Sequence, residues 1–116
     1  MFKQITNELL DFIQNSPSCY HAIDNMKNIL DENGFCEISE GKAWDLKEGG
    51  KYYVIRNYSS IIAFKIPNKN FKGFNIVASH SDSPTFKIKE NYQIEVDKKL
   101  VKLNVEKYGG MIFSSW

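Results

Sequence analysis

Apolar residues recur at three- and four-residue spacing through the opening of the chain, at Phe2, Ile5, Leu9, Phe12 and Ile13. That spacing predicts an amphipathic helix with one buried face. Asn15-Ser16-Pro17-Ser18 interrupts the pattern. Ser16 before Pro17 predicts an N-cap with proline at the first helical position, where its missing N–H costs nothing. A second helix is then expected from Pro17 to Glu32, presenting Tyr20, Ile23, Met26 or Lys27, and Leu30 on one side. Asn33-Gly34 ends it, because glycine adopts the left-handed conformation that follows a last helical turn. Together the two segments predict a helical hairpin with a short joint.

The period then changes from helical to alternating. Phe35 to Ile38 reads as a short strand. Glu40 to Gly50 is polar and contains three glycines, with Trp44 and Leu46 as anchors. Lys51 to Arg56 (KYYVIR) and Ser59 to Ile66 (SSIIAFKI) are rich in strand formers and predict a β-hairpin turning near Asn57-Tyr58. Gly73 to Ser79 (GFNIVAS) is short and mostly apolar, the pattern of a strand buried on both faces of a sheet. A second β-rich stretch runs from Thr85 to Tyr108, and Val101 to Val105 alternates as a half-buried strand does. The last residues, Gly109 to Trp116, form a glycine pair and an aromatic, apolar run. Natural termini are usually exposed and poorly ordered, so this sticky run is expected to lie in the middle of something larger.

At 116 residues the chain is one domain's worth of sequence, able to bury a core. Hydrophobic residues at 42% and charged residues at 25% are ordinary for a globular protein and exclude disorder by composition. A formal charge of +1 offers no basic surplus for neutralising a run of phosphates, so nucleic acid is not expected as a partner. Arg56 is the sole guanidinium, which leaves bidentate phosphate recognition little support. No apolar run approaches the length of a membrane span, and residues 1–10 do not read as a signal peptide. Two cysteines, Cys19 and Cys36, make no disulfide framework; buried inert thiols in a reducing cytoplasm are expected.

Candidate chemistry gathers at His80. It follows the apolar 73–79 strand directly, in His80-Ser81-Asp82-Ser83-Pro84, and strand carboxyl ends are where α/β proteins place ligand sites. Two readings stand side by side. A carboxylate near an imidazole accepts its second N–H and orients the other nitrogen toward a metal. Alternatively, Asp82 closes an Asx-type turn before Ser83-Pro84, with His80 merely polar at a strand end. A catalytic zinc needs about three protein ligands, and spacing yields one here. The other carboxylates, such as Asp97 beside Lys98 and Lys99, read as solvated faces. His21 reads as a packing or hydrogen-bonding residue of the second helix. Tyr52, Tyr53 and Tyr58 with Lys51 and Arg56 read as the core and rim of a hairpin.

Four collinear stretches carry a resemblance. Phe12 to Ala22 (FIQNSPSCYHA), Trp44 to Arg56 (WDLKEGGKYYVIR) with Ser59 to Phe64 after it, Ile76 to Pro84 (IVASHSDSP), and Leu103 to Trp116 follow one another as in the N-terminal portion of the aspartyl aminopeptidases. The chain therefore resembles that family of metal-dependent exopeptidases. The resemblance implies an α/β fold: residues 1–89 as the start of an α/β/α catalytic domain, and 90–116 as the start of an inserted β-rich domain that contacts neighbouring subunits. It implies release of N-terminal aspartate or glutamate from peptides, two divalent ions, usually zinc, and a cytoplasmic or vacuolar homo-oligomer. His80 would ligate one ion and Asp82 would orient His80. Ser81 stands where threonine is commoner.

The family's bridging aspartate, glutamate base and remaining ligands lie downstream of the matching stretches. With one ligand, a dinuclear site is not expected to form within these 116 residues, and the chain is expected to be inactive by itself. Two other readings compete with that one. A free-standing small α+β interaction domain would use its exposed strand edges, and a zinc module could be assembled by several chains meeting at His80.

Overall fold

A computed structural model of the chain describes residues 2–67, 70–110, 112 and 114. The chain divides into two compact units, Met1–Asp82 and Ser83–Trp116. This division falls seven residues before the catalytic-to-inserted boundary that the resemblance implies, just ahead of a strand that runs on through residues 89 and 90.

In the first unit, helices α1 (Phe2–Gln14) and α2 (Cys19–Glu32) form the expected hairpin. The joint is held by Asn25, whose Nδ2 donates to Asn15 O at 2.8 Å and Ser16 Oγ at 3.1 Å. The N-cap of α2 is Ser18 rather than Ser16. Ser18 has extended backbone (φ −145°, ψ 165°), and its hydroxyl accepts from His21 N. Two hydroxyls competed for the role. The residue before a proline is pushed away from helical angles, and the Ser16 hydroxyl serves Asn25 instead, so the helix starts two residues later than the Ser-Pro signal suggests. At the other end Gly34 adopts φ +75°, and Phe35 N reaches back to Leu30 O at 3.0 Å, as the Asn33-Gly34 pair predicts.

Strand β1 (Cys36–Glu37) pairs parallel to β2 (Lys51–Arg56), which pairs antiparallel to β3 (Ser60–Lys65), giving sheet order β1-β2-β3. Side chains alternate along β2, so Tyr53 and Val54, both buried, lie on opposite faces. The Tyr53 side chain meets α2, with its hydroxyl 2.7 Å from Asp31. On Val54's side Phe64 packs between Trp44 and Tyr52, with ring centroids 6.0 and 5.9 Å away. Trp44 is the anchor its loop was expected to need, and its indole N–H donates to Ser39 O at 2.7 Å. Gly50 is dictated by close approach: a Cβ there would lie 2.5 Å from the Tyr52 ring.

Four expectations about burial fail in this unit. Most of the apolar face of α1 is uncovered, from Phe2 at 86% exposure to Ile13 at 58%, with Phe12 half-buried. Tyr20 is exposed too, whereas Ala22 and Ile23 supply the buried part of α2. Residues 73–79 are not a buried strand: the segment has no ladder among the described residues, and Val77 is 98% exposed. An apolar stretch becomes a central strand only when neighbours supply hydrogen bonds on both edges and cover on both faces, and the described residues supply neither. Cys36 is also exposed, so only the half-buried Cys19 approaches the expected inert thiol.

The second unit is a hairpin of β4 (Thr85–Val96) and β5 (Leu100–Tyr108). The register slips between Ile88 and Gln93, where Asn104 Nδ2 donates across the irregularity to Asn91 O at 2.9 Å. The Val101–Val105 alternation does lie in a strand, but not a half-buried one, since Leu103 is 62% exposed. Most of the closing run, including Met111, Phe113 and Trp116, lies outside the described residues.

Candidate functional site

His80, Ser81 and Asp82 close the first unit. The His80 Nδ1 lies 2.6 Å from Asp82 O and 3.1 Å from Asp82 Oδ1. Both partners are acceptors, one a carbonyl and one a carboxylate, so Nδ1 must carry the proton. In the neutral ring the lone pair then resides on Nε2, the arrangement in which a carboxylate orients a histidine for metal binding. The pair forms although residues 73–79 are not a strand, because a bend of the backbone at Ser81 brings residue 82 back onto residue 80. The His80 side chain is 78% exposed and that of Asp82 41%, so both are open to solvent. Ser81 Oγ donates to Ser59 O at 2.9 Å, linking this turn to the β2–β3 connection.

Among the described residues, no group of three or more His, Cys, Asp and Glu side chains could hold a metal ion. The donor chemistry of His80 fits one ligand of a zinc site; a whole site is not assembled among the described residues. His21 is engaged elsewhere, with Nδ1 2.8 Å from the Ser18 hydroxyl at the start of α2. Arg56 is committed to Glu40, its Nε donating to Oε2 at 3.1 Å. The guanidinium holds the Glu40 carboxyl below the usual carboxylate range, and Glu40 raises Arg56 in turn.

One polar cluster joins residues that the sequence placed in separate elements. Asp31 accepts from Lys27 Nζ at 2.9 Å and from the buried Tyr53 hydroxyl, and Glu37 approaches the same hydroxyl at 3.5 Å. Hydrogen bonds from Lys27 and then Tyr53 hold Asp31 below the usual carboxylate range, and Lys27 rises correspondingly. Burial first, and the Asp31 bond second, push Tyr53 up. The cluster ties α2 to β2 and lies among residues the fold needs, so it reads as structural. Its partners stand 22 residues apart, and nothing local in the sequence joins them.

A helical hairpin leading into a mixed sheet, followed by the paired His80 and Asp82, gives the chain a mixed α/β architecture. The chain matches the family of aminopeptidase I zinc metalloproteases (M18) over residues 12–116, and it belongs to that family. It is 48% identical over 115 residues to the probable M18 family aminopeptidase 2 of Clostridium acetobutylicum, a match covering 97% of this chain and 27% of that one. It is 40% identical over 112 residues to the aspartyl aminopeptidase of Dictyostelium discoideum, covering 94% of this chain and 23% of that one. Its fold is shared with the mApe1 dodecamer of S. cerevisiae, with a TM-score of 0.82 and 32% identity over 96% of this chain and 26% of that one. The chain thus spans about a quarter of the length of the relatives it matches. The expected mixed α/β architecture is the one these relatives have.

Proposed function

We propose that this chain is the N-terminal quarter of an aspartyl aminopeptidase, an enzyme that releases N-terminal aspartate or glutamate from peptides with metal-activated water. The observation that carries the reading is the placement of His80 Nδ1 within 2.6 Å of Asp82 O and 3.1 Å of Asp82 Oδ1, two acceptors that assign the proton to Nδ1 and leave the Nε2 lone pair for a zinc ion. Zinc, when bound, lowers the pKa of its water and polarises the scissile carbonyl. Asp82 keeps His80 in one tautomer and one orientation, so the ligand enters the site already arranged. The remaining ligands and the general base would come from sequence beyond these residues. By itself the chain offers one ligand where about three are needed, and it is therefore inactive on its own.

In this reading residues 1–89 begin the catalytic domain and 90–116 begin the inserted β-rich domain, through which copies meet in a homo-oligomer in the cytoplasm. The S. cerevisiae relative is a dodecamer, which supports the oligomer, and the exposed apolar face of β5 gives neighbours something to cover. No helix among the described residues is long and apolar enough to cross a membrane.

The test is a chimera in which this chain replaces the matching first quarter of the C. acetobutylicum relative. The expected result is zinc-dependent cleavage of an aspartyl peptide that falls about 100-fold or more in His80→Ala. Cleavage by the isolated 116-residue chain, or a chimera indifferent to His80→Ala, would overturn the proposal.

A further inference from the structure

Residues 71–80 are exposed throughout, yet the turn that follows them has a defined geometry. Ser81 is the exception in exposure, half-buried between two exposed neighbours. Its hydroxyl donates to Ser59 O, 22 residues earlier, at 2.9 Å. That carbonyl is a fixed acceptor. Ser59 N is itself bound to Arg56 O at 3.2 Å, closing the turn through Asn57 and Tyr58 (φ 53° and 56°), and the β2 strand leading into it carries the buried Tyr53 and Val54.

We propose that Ser81 is a positioning residue for His80. Its hydroxyl pins the backbone between the ligand and its carboxylate to the β2–β3 turn, and so sets the Nδ1–H tautomer of His80 before any metal arrives. The inference rests on the reading of His80 as a ligand. For the carbonyl and the carboxylate of Asp82 both to face Nδ1, the backbone at Ser81 and Asp82 must fold back onto the imidazole. In an exposed segment water competes for both acceptors, and a neutral imidazole has two tautomers to choose between. Anchoring Ser81 to a carbonyl of the better-buried hairpin restricts the backbone that delivers both acceptors. A ligand held this way binds metal without first paying to be ordered.

The readout is the His80 ring in long-range ¹H–¹⁵N correlation spectra of the metal-free chain at about pH 8.5, where an ordinary imidazole is neutral. Ser81→Thr keeps the hydroxyl; Ser81→Val has the same shape without it. The parent chain and Ser81→Thr are expected to show one dominant Nδ1–H tautomer, and Ser81→Val a ratio moved several-fold toward Nε2–H, with β2–β3 amide signals unchanged. If the valine disturbs those amides, the smaller Ser81→Ala is expected to give the same ratio with the hairpin intact. In the chimera, zinc affinity is expected to fall roughly tenfold for Ser81→Val and to be retained by Ser81→Thr. Identical tautomer ratios in the threonine and valine variants, or a mixed population already in the parent, would overturn the proposal. Failure of the functional reading looks different: the chimera would not cleave aspartyl peptides, while the tautomer ratio still followed the hydroxyl.

Discussion

The two hairpins of this chain are built alike and buried differently. Each turns through two successive non-glycine residues with positive φ, Asn57-Tyr58 in one and Asp97-Lys98 in the other, and each closes with a backbone bond three residues apart. That left-handed pair matches the twist of the flanking strands. Yet β2 holds Tyr53 at 1% exposure, under α2 and its Asp31, while Leu103 of β5 stands 62% exposed. Strand formation is decided locally, by turn and propensity. Burial is decided by what arrives to cover the strand, and for the second hairpin nothing among the described residues of its own unit does.

The difference is sharpest at the two apolar positions themselves. Tyr53→Ala should destabilise the chain by about 3–5 kcal/mol, the usual range for emptying an aromatic site in a core. Leu103→Ala should change it by less than about 0.5 kcal/mol. Urea unfolding followed by far-ultraviolet circular dichroism separates the two, and equal losses would dissolve the contrast. Next in size is Tyr53→Phe, which keeps the ring and removes the hydroxyl bonded to Asp31; a loss of about 1 kcal/mol is expected in the same assay.

Acid should weaken the first hairpin through the same contact. Asp31 is held below the usual carboxylate range in the folded chain, so the unfolded chain takes up the proton first as pH falls. The stabilisation is fully present above that range and is lost as pH drops through it toward the lowered folded value. The urea midpoint of the parent should therefore decline more steeply with acid than that of Asp31→Asn; parallel declines would mean that the contact contributes nothing. The smallest effect concerns the turns. Tyr58→Gly and Lys98→Gly relieve a left-handed cost of about 1–2 kcal/mol at the expense of chain entropy of about 0.5–1 kcal/mol. Each should raise the thermal midpoint slightly, with little difference between the hairpins because the turn is the part they share.

Much of the fold was legible because its signals are local. Both helices, the Gly34 stop, β1 and the first hairpin follow from spacing, turn residues and strand formers; the second hairpin fills the β-rich Thr85–Tyr108 stretch, but its turn at Asp97-Lys98 was read only as a solvated face. Two kinds of feature were not legible. One is choice among near-equivalent neighbours: Ser16 and Ser18 each offer a cap, and only the use of Ser16 by Asn25 decides between them. The other is anything that depends on distant sequence. Exposure of α1, the unpaired 73–79 segment and the bare face of β5 all follow from cover that no local pattern supplies. The Asp31–Tyr53 bond likewise spans 22 residues. At the candidate site the sequence pointed to His80 and Asp82, which the structure brings within hydrogen-bond distance, but gave no sign that Ser81 reaches Ser59.

The most direct measurement is a zinc titration of the purified 116-residue chain by isothermal calorimetry, beside its His80→Ala variant. One ligand in place of about three predicts no stoichiometric tight binding and no difference between the two. Tight one-to-one binding that disappears with His80→Ala would contradict the account, because the chain would then carry a complete metal site rather than one corner of it.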